Sequence, residues 1–251
     1  MYIDKDDKEV YRARIYDSYL SNRSDIAEIV SVDLFTPRLP LLKRIIKRHF
    51  PADKEITVLD LGCGSGAFLF ACQLLGYRNL KGIDRSQEQV SQAQKLGLRG
   101  VEYGDLNDVL AATSENSIDV IIAFDVIEHF TKSELVHFTD SVNRALRPGG
   151  KWIIHAPNGE GIFGSKVYFS DLTHEQAFTR YSITQLLKAS NFKTVVCEED
   201  SPVPHGLKST VRAILWGVVR LFYRALLAVE TGDFSKEVLL TQNFVVVAVK
   251  K

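Results

Sequence analysis

Four aspartates punctuate the first half of the chain, each at or just beyond the end of a short apolar run: Asp60, Asp84, Asp105 and Asp125. The segment 56–69 reads Ile-Thr-Val-Leu-Asp-Leu-Gly-Cys-Gly-Ser-Gly-Ala-Phe-Leu, with Gly62, Gly64 and Gly66 packed into five residues. Glycines accept positive φ and let a ligand approach the backbone closely. A helix opening behind them offers bare N–H groups and the positive end of its dipole. This is chemistry suited to holding a nucleotide-like molecule. A carboxylate about twenty residues on, where Asp84 stands, can accept both hydroxyls of a ribose. Gly62, Gly64 and Ala67 also satisfy the G-x-G-x-x-A spacing of dinucleotide folds. On these residues alone an NAD(P)-dependent oxidoreductase stays open. Asp60 and the third glycine speak against it.

The elements that must position these residues follow from the pattern. Strands are expected at 56–61, 79–83, 100–103, 118–124, 151–156, 192–199 and 242–249, separated by helical stretches. The unbroken apolar run at 118–124 is what a parallel strand covered on both faces looks like. Capping boxes pair Ser86 with Gln89, Thr131 with Glu134, and Ser182 with Gln185. The alternation predicts an α/β fold, a Rossmann-like seven-stranded, mostly parallel sheet with helices on both faces. The first fifty residues read as a helical cap, with Pro37 opening its second helix. No Pro/Gly/Ser-rich linker divides the chain. The expected organisation is one domain over 1–251: a cap at 1–50, a core at 51–200, and an apolar helix plus last strand at 201–251.

Composition narrows the classes. The 251 residues carry 31 basic and 31 acidic side chains, so formal net charge is zero. That removes the broad positive field of a nucleic-acid-gripping surface. Three scattered cysteines do not make a disulfide framework or a zinc site, and point to a reducing, cytoplasmic setting. The N-terminus lacks the apolar core of a signal peptide, and no uncharged run is long enough to span a membrane.

Taken in order, VLDLGCGSG at 58–66, GID at 82–84, GDL at 104–106, FDVIEHF at 124–130 and LRPGGKWIIHAPN at 146–158 resemble the motifs of class I S-adenosylmethionine (SAM)-dependent methyltransferases, at that family's usual spacings. The resemblance covers roughly residues 50–200. It implies SAM as cofactor and an antiparallel last strand. Gly62, Gly64 and Gly66 would run under the amino-acid part and ribose of SAM. Asp60 would orient the loop and meet the ammonium group. Asp84 would take the ribose hydroxyls, with Arg85 beside it. Asp105 would accept from the adenine amino group, with Leu106 against the ring. Asp125 would lie at the sheet's carboxyl edge, where open α/β folds bind ligands. In similar proteins an N-terminal segment closes over SAM, and Tyr11, Tyr16 and Tyr19 are candidates for that.

Methyl transfer to a hydroxyl needs alignment and removal of a proton. His129 recurs in this motif among relatives with different acceptors, so it organises the site. His155, in a predicted strand, is a candidate base or a satisfied buried histidine. The loop before the helix near Ser182 carries Tyr168, Asp171, His174 and Glu175, able to stack and hydrogen-bond a polar acceptor. His174 is the candidate general base, with loop pinning as its alternative role; Asp125 completes the catalytic set. Asp125, Asp171, His174 and Glu175 are metal-ligand types, but their spacing is not diagnostic and no metal is expected. No Asn-Pro-Pro-Tyr-like run for a flipped base follows the fourth strand, and nucleic acid is not an expected partner.

Between the last two strands lies an apolar stretch, 208–230, with Lys208, Arg212, Arg220 and Arg224 on one helical stripe. It reads as a surface for the core, for a second copy of the chain, for a substrate or for the inner face of a membrane. The whole resembles O-methyltransferases of bacterial surface-polysaccharide synthesis. That implies a small acceptor: a sugar, nucleotide sugar or phosphorylated precursor of a capsule or O-antigen. A quinone or phenol acceptor is the alternative.

Overall fold

The computed structural model describes residue 15 and residues 31–232 and 237–251. Tyr11, Tyr16, Tyr19 and most of the expected N-terminal cap lie outside the described residues.

A 3-10 turn, Val32–Phe35, leads into helix α1, Leu39–His49. The helix opens later than the sequence suggests. The Thr36 N–H closes the 3-10 turn on the Asp33 carbonyl and the Arg38 N–H bonds the Phe35 carbonyl, so Pro37 lies in the link. Pro40 takes the first-turn place where a missing N–H is harmless. Leu42, Ile45 and Ile46 form the buried face of α1.

The core alternates strand and helix: β1 Thr57–Leu61, α2 Ala67–Leu74, β2 Asn79–Asp84, α3 Gln87–Lys95, β3 Val101–Tyr103, α4 Leu106–Ala112 and β4 Ile118–Phe124. A 3-10 turn, Ile127–His129, precedes α5, Lys132–Ala145, and β5, Leu146–Pro157. Then follow α6 Gly164–Tyr168, α7 Arg180–Ala189, β6 Phe192–Glu199, α8 Leu207–Thr231 and β7 Asn243–Lys250. The seven strands order as β3-β2-β1-β4-β5-β7-β6, with only β7 antiparallel to its neighbours. This is the predicted Rossmann-like sheet. Its order reverses between β1 and β4, and at that switch point the carboxyl ends of the strands leave a crevice.

Both faces of the sheet are covered. In β4, Val120 and Ile122 pack with α1 and α2, while Ile121 and Ala123 pack with α5 and α7. Beyond the late start of α1 and shifts of a single residue, two further element boundaries differ from the pattern. Strand β5 starts at Leu146 rather than 151, because Leu146 pairs with Ile118 and a bulge then absorbs the Arg-Pro-Gly-Gly turn. Helix α7 is capped by Thr179, which shares a reciprocal box with Ser182. Thr179 is the last residue in extended conformation, so Ser182 is its third helical residue and not its cap. Thr131 and Glu134 form the predicted box, and Ser86 accepts from the Gln89 N–H.

Helix α8 leans outward. Among its residues only Ala228 is buried, while Ile214, Val218, Leu221 and Val229 are exposed. One member of its basic stripe reaches back to the domain, Arg220 pairing with Glu199 at 2.9 Å, while Lys208 and Arg212 are exposed. Among the described residues no helix is long and apolar enough to cross a membrane.

Candidate active site

After β1 the chain turns through the glycines, held by two N–H donors, Gly62 (2.8 Å) and Cys63 (3.0 Å), on the Ile83 carbonyl. Gly62 sits at φ +74°, and a Cβ there would lie 2.4 Å from Val126 Cγ2. Gly66, at φ +87°, would put a Cβ 2.3 Å from Leu98 Cδ1. Both the left-handed backbone and the lack of room demand glycine. The result is a bare backbone cradle at the switch point.

Two carboxylates serve this cradle. Asp84 accepts from the Gly64 N–H at 2.7 Å through Oδ2 and from the Ser86 N–H at 2.8 Å through Oδ1. It thereby ties the loop to the end of β2, and its remaining lone pairs are available to a ligand. Burial raises its pKa against those hydrogen bonds. Asp60 is almost wholly buried, and its Oδ1 has no hydrogen-bond partner. Burial, and then the charge of Asp84, push its pKa up to about 8. A buried acceptor left unmatched is costly unless something fills it. An ammonium group at this end of the cradle would do so, and a cationic nucleoside would relieve both acids. On this observation the residues fit SAM.

The cradle opens into a cavity of about 390 Å³. Its wall brings together Asp60, Gly62, Gly64, Asp84, Arg85, Leu106 and Asp125 with Asp171 and His174. Other predicted residues stand back from it. Gly66 caps α2. Asp105 caps α4 through the Asn107 and Asp108 N–H groups and lies 3.5 Å from Arg85 Nε. Tyr168 offers its backbone carbonyl to His174 Nδ1 at 2.9 Å, and the Glu175 N–H donates to the Glu128 carbonyl at 2.8 Å.

His155 is also behind the wall. Its Nδ1 lies 2.5 Å from Asp125 Oδ1, and its Nε2 lies 3.4 Å from Asp200 Oδ2. Burial disfavours the charged ring, but the two carboxylates outweigh it and hold the pKa at about 9. With both nitrogens engaged, His155 braces Asp125. Asp125 itself takes positive φ, unusual for a non-glycine residue, and burial is outweighed at its carboxyl by His155, so its pKa falls. Arg38 approaches its other oxygen at 3.5 Å.

Sequence reasoning missed Glu128. It is 1% exposed, lines the cavity and leaves Oε2 without a hydrogen bond. Burial, and then the charge of Asp125, push its pKa well up. The signal was its place three residues after Asp125 and next to His129, at the carboxyl end of a buried strand. Arg38 and Ser170 also line the cavity. A second cavity, of about 560 Å³, meets the first across Arg38, Phe124 and Asn243, and carries Asp200, His205, Ser209 and Arg212.

A profile of the methyltransferase domain matches residues 35–197. Among curated proteins, a probable (S)-tetrahydroprotoberberine N-methyltransferase of Papaver bracteatum is 39% identical over 32% of this chain and 23% of its own length. An O-antigen chain terminator bifunctional methyltransferase/kinase of Escherichia coli is 29% identical over 46% of this chain and 16% of its own. The chain thus spans well under two thirds of these relatives. A crystal structure of a SAM-dependent methyltransferase from Archaeoglobus fulgidus superposes with a TM-score of 0.62 at 18% identity, covering 84% of this chain and 94% of the other. The dinucleotide reading falls with the profile match. Sheet order, glycine cradle and paired buried acids agree with that match, and the chain belongs to the family of SAM-dependent methyltransferases.

Proposed function

We propose that this methyltransferase acts on an oxygen of a small polar acceptor: a sugar, nucleotide sugar or phosphorylated precursor of a bacterial capsule or O-antigen. SAM supplies an electrophilic methyl group on a sulfonium whose departure as a thioether needs no proton. The work left to the chain is to hold that cation, align the acceptor and see to the acceptor's proton.

The supporting observation is the wall opposite the cradle. It is polar, with Ser170, Asp171 and His174 facing the same cavity as Asp60 and Asp84. The Tyr168 carbonyl can only accept, so His174 Nδ1 must be the donor in their 2.9 Å contact. In the neutral ring Nε2 then keeps its lone pair, the state a general base requires. Asp125, braced by His155, would align a second hydroxyl. Arg38 and Arg212, on the adjoining cavity, suit a phosphate-bearing part of the acceptor. The Escherichia coli relative's O-antigen role lends this acceptor class further support. This reading assigns the protein to the cytoplasm, with the exposed apolar face of α8 free to meet a membrane surface or a second copy.

The test is incubation with methyl-labelled SAM and a panel of nucleotide sugars, sugar phosphates, phenols and amines. Label appearing in a base-stable sugar ether or a phosphoester supports the reading. Label confined to a phenol or an amine overturns it.

A further inference from the structure

Three side chains next to the cradle are arranged as ligands for something other than SAM. Glu128, His129 and His174 each offer one donor atom, and these atoms all lie within 4.8 Å of one another. Glu128 Oε1 is 4.0 Å from His174 Nε2. All three residues line the cavity.

Hydrogen bonding dictates which nitrogen each ring presents. Thr173 Oγ1 lies 2.6 Å from Asp171 Oδ1 and donates its single hydrogen there. Toward His129 Nδ1, 2.9 Å away, the same oxygen can therefore only accept. His129 Nδ1 must carry the proton, with the Thr173 carbonyl at 3.3 Å as its other acceptor. His174 Nδ1 is pinned as donor by the Tyr168 carbonyl. Both neutral rings then hold a lone pair at Nε2. A ring whose far N–H is held by a carbonyl or hydroxyl is the usual support of a metal-bound histidine. The third group, Glu128, is buried with Oε2 lacking any hydrogen bond. The two segments are clamped together, since the Glu128 carbonyl accepts from the Glu175 and Gln176 N–H groups at 2.8 and 3.3 Å.

We propose that Glu128, His129 and His174 bind one divalent first-row metal ion, with its open positions facing the acceptor. Two imidazoles and one carboxylate suit Mn²⁺, Fe²⁺, Co²⁺ or Zn²⁺ better than an all-oxygen cation. Metal–ligand bonds of about 2.1 Å set neighbouring donors roughly 3–3.5 Å apart, so the set needs to close by about an ångström. The ion would take a hydroxyl oxygen of the acceptor and lower its pKa, the proton leaving to water. The oxygen lone pair then forms the new C–O bond while the C–S bond breaks and its electrons pass to sulfur. This inference rests on the O-methyltransferase reading and revises it at one point: His174 serves as a ligand and not as the base.

The test uses the full chain, stripped with a chelator and titrated with Mn²⁺ alone. Binding is followed by calorimetry and by loss of the free-ion electron paramagnetic resonance signal. One ion per chain is expected. Glu128→Gln and His174→Gln should each weaken it by more than about a hundredfold, because even outer partners of metal ligands are worth roughly 10–100-fold. Circular dichroism confirms that each variant is folded, and His174→Gln, in a loop, stands in if Glu128→Gln is not. Failure to bind a stoichiometric ion, or equal binding by wild type and the folded variants, overturns the proposal. S-adenosylhomocysteine binding is measured on the same stripped protein. If it binds while Mn²⁺ does not, the metal site alone is lost. If the cofactor and Mn²⁺ both bind as described while no sugar or phosphate oxygen of the substrate panel is methylated, the acceptor reading alone is lost.

Discussion

The cradle and the wall that faces it are built by different means. The cradle is made of backbone: two N–H groups on one carbonyl, glycines at positive φ, and a carboxylate from the next strand tied to the loop by Gly64. The wall is made of side chains from two distant segments, joined by Thr173 on His129 and by the Glu128 carbonyl, while the Tyr168 carbonyl orients His174 within its own segment. A backbone site is rigid and indifferent to what the acceptor is, so one cofactor can serve many chemistries. A side-chain site changes by single substitutions while the sheet stays the same, and there specificity can drift.

Breaking the backbone side should cost most. Gly62→Ala places a Cβ against Val126 at a left-handed φ. It should lower stability by about 2–5 kcal/mol from strain and overpacking together, read by urea denaturation, and weaken S-adenosylhomocysteine binding in parallel. An unchanged midpoint would show that the cradle yields.

The brace behind the wall is electrostatic, and pH should reveal it. The His155 pKa of about 9 lies above its unfolded value. Its contribution is therefore complete below about pH 6.5 and lost as pH rises through 9. Wild-type stability should fall by about 1–3 kcal/mol more than that of His155→Gln across this window, less than full linkage because both carboxylates are partly exposed. Parallel curves for the two proteins would remove the charged bridge.

The smallest effect sharpens the contrast. Thr173→Val removes the nearer of the two acceptors on His129 Nδ1 and leaves only the Thr173 carbonyl at 3.3 Å to hold the ring. It should cost only about 1 kcal/mol of stability but lower turnover about tenfold, with S-adenosylhomocysteine affinity unchanged. A matched loss of affinity would mean that wall and cradle are one unit.

The same division explains what could be read from the chain. Gly62, Gly64, Asp60 and Asp84 lie within 25 consecutive residues, and their roles follow from one strand–turn–helix, so local pattern was enough. The sheet followed from apolar runs such as Ile118–Phe124. The wall was only half legible. His174 and Asp171 stand out as polar residues in an aromatic loop, but nothing local says that Glu128, some forty-five residues away, shares their space. Nor does the pattern show that His155 has a carboxylate on each side, because Asp200 arrives from beyond β6. Such constellations depend on side-chain packing across the sheet, which has no sequence period.

The antiparallel β7 lies between β5 and β6, pairing 243–249 with 151–157 on one side and 244–250 with β6 on the other. Although β6 leaves the ribosome first, it has no neighbour to bond until β7 has been made. Closure of the sheet is thus a late, non-local event of the kind that slows folding. Through that interval the apolar length of α8, made before β7, has no completed sheet beside it.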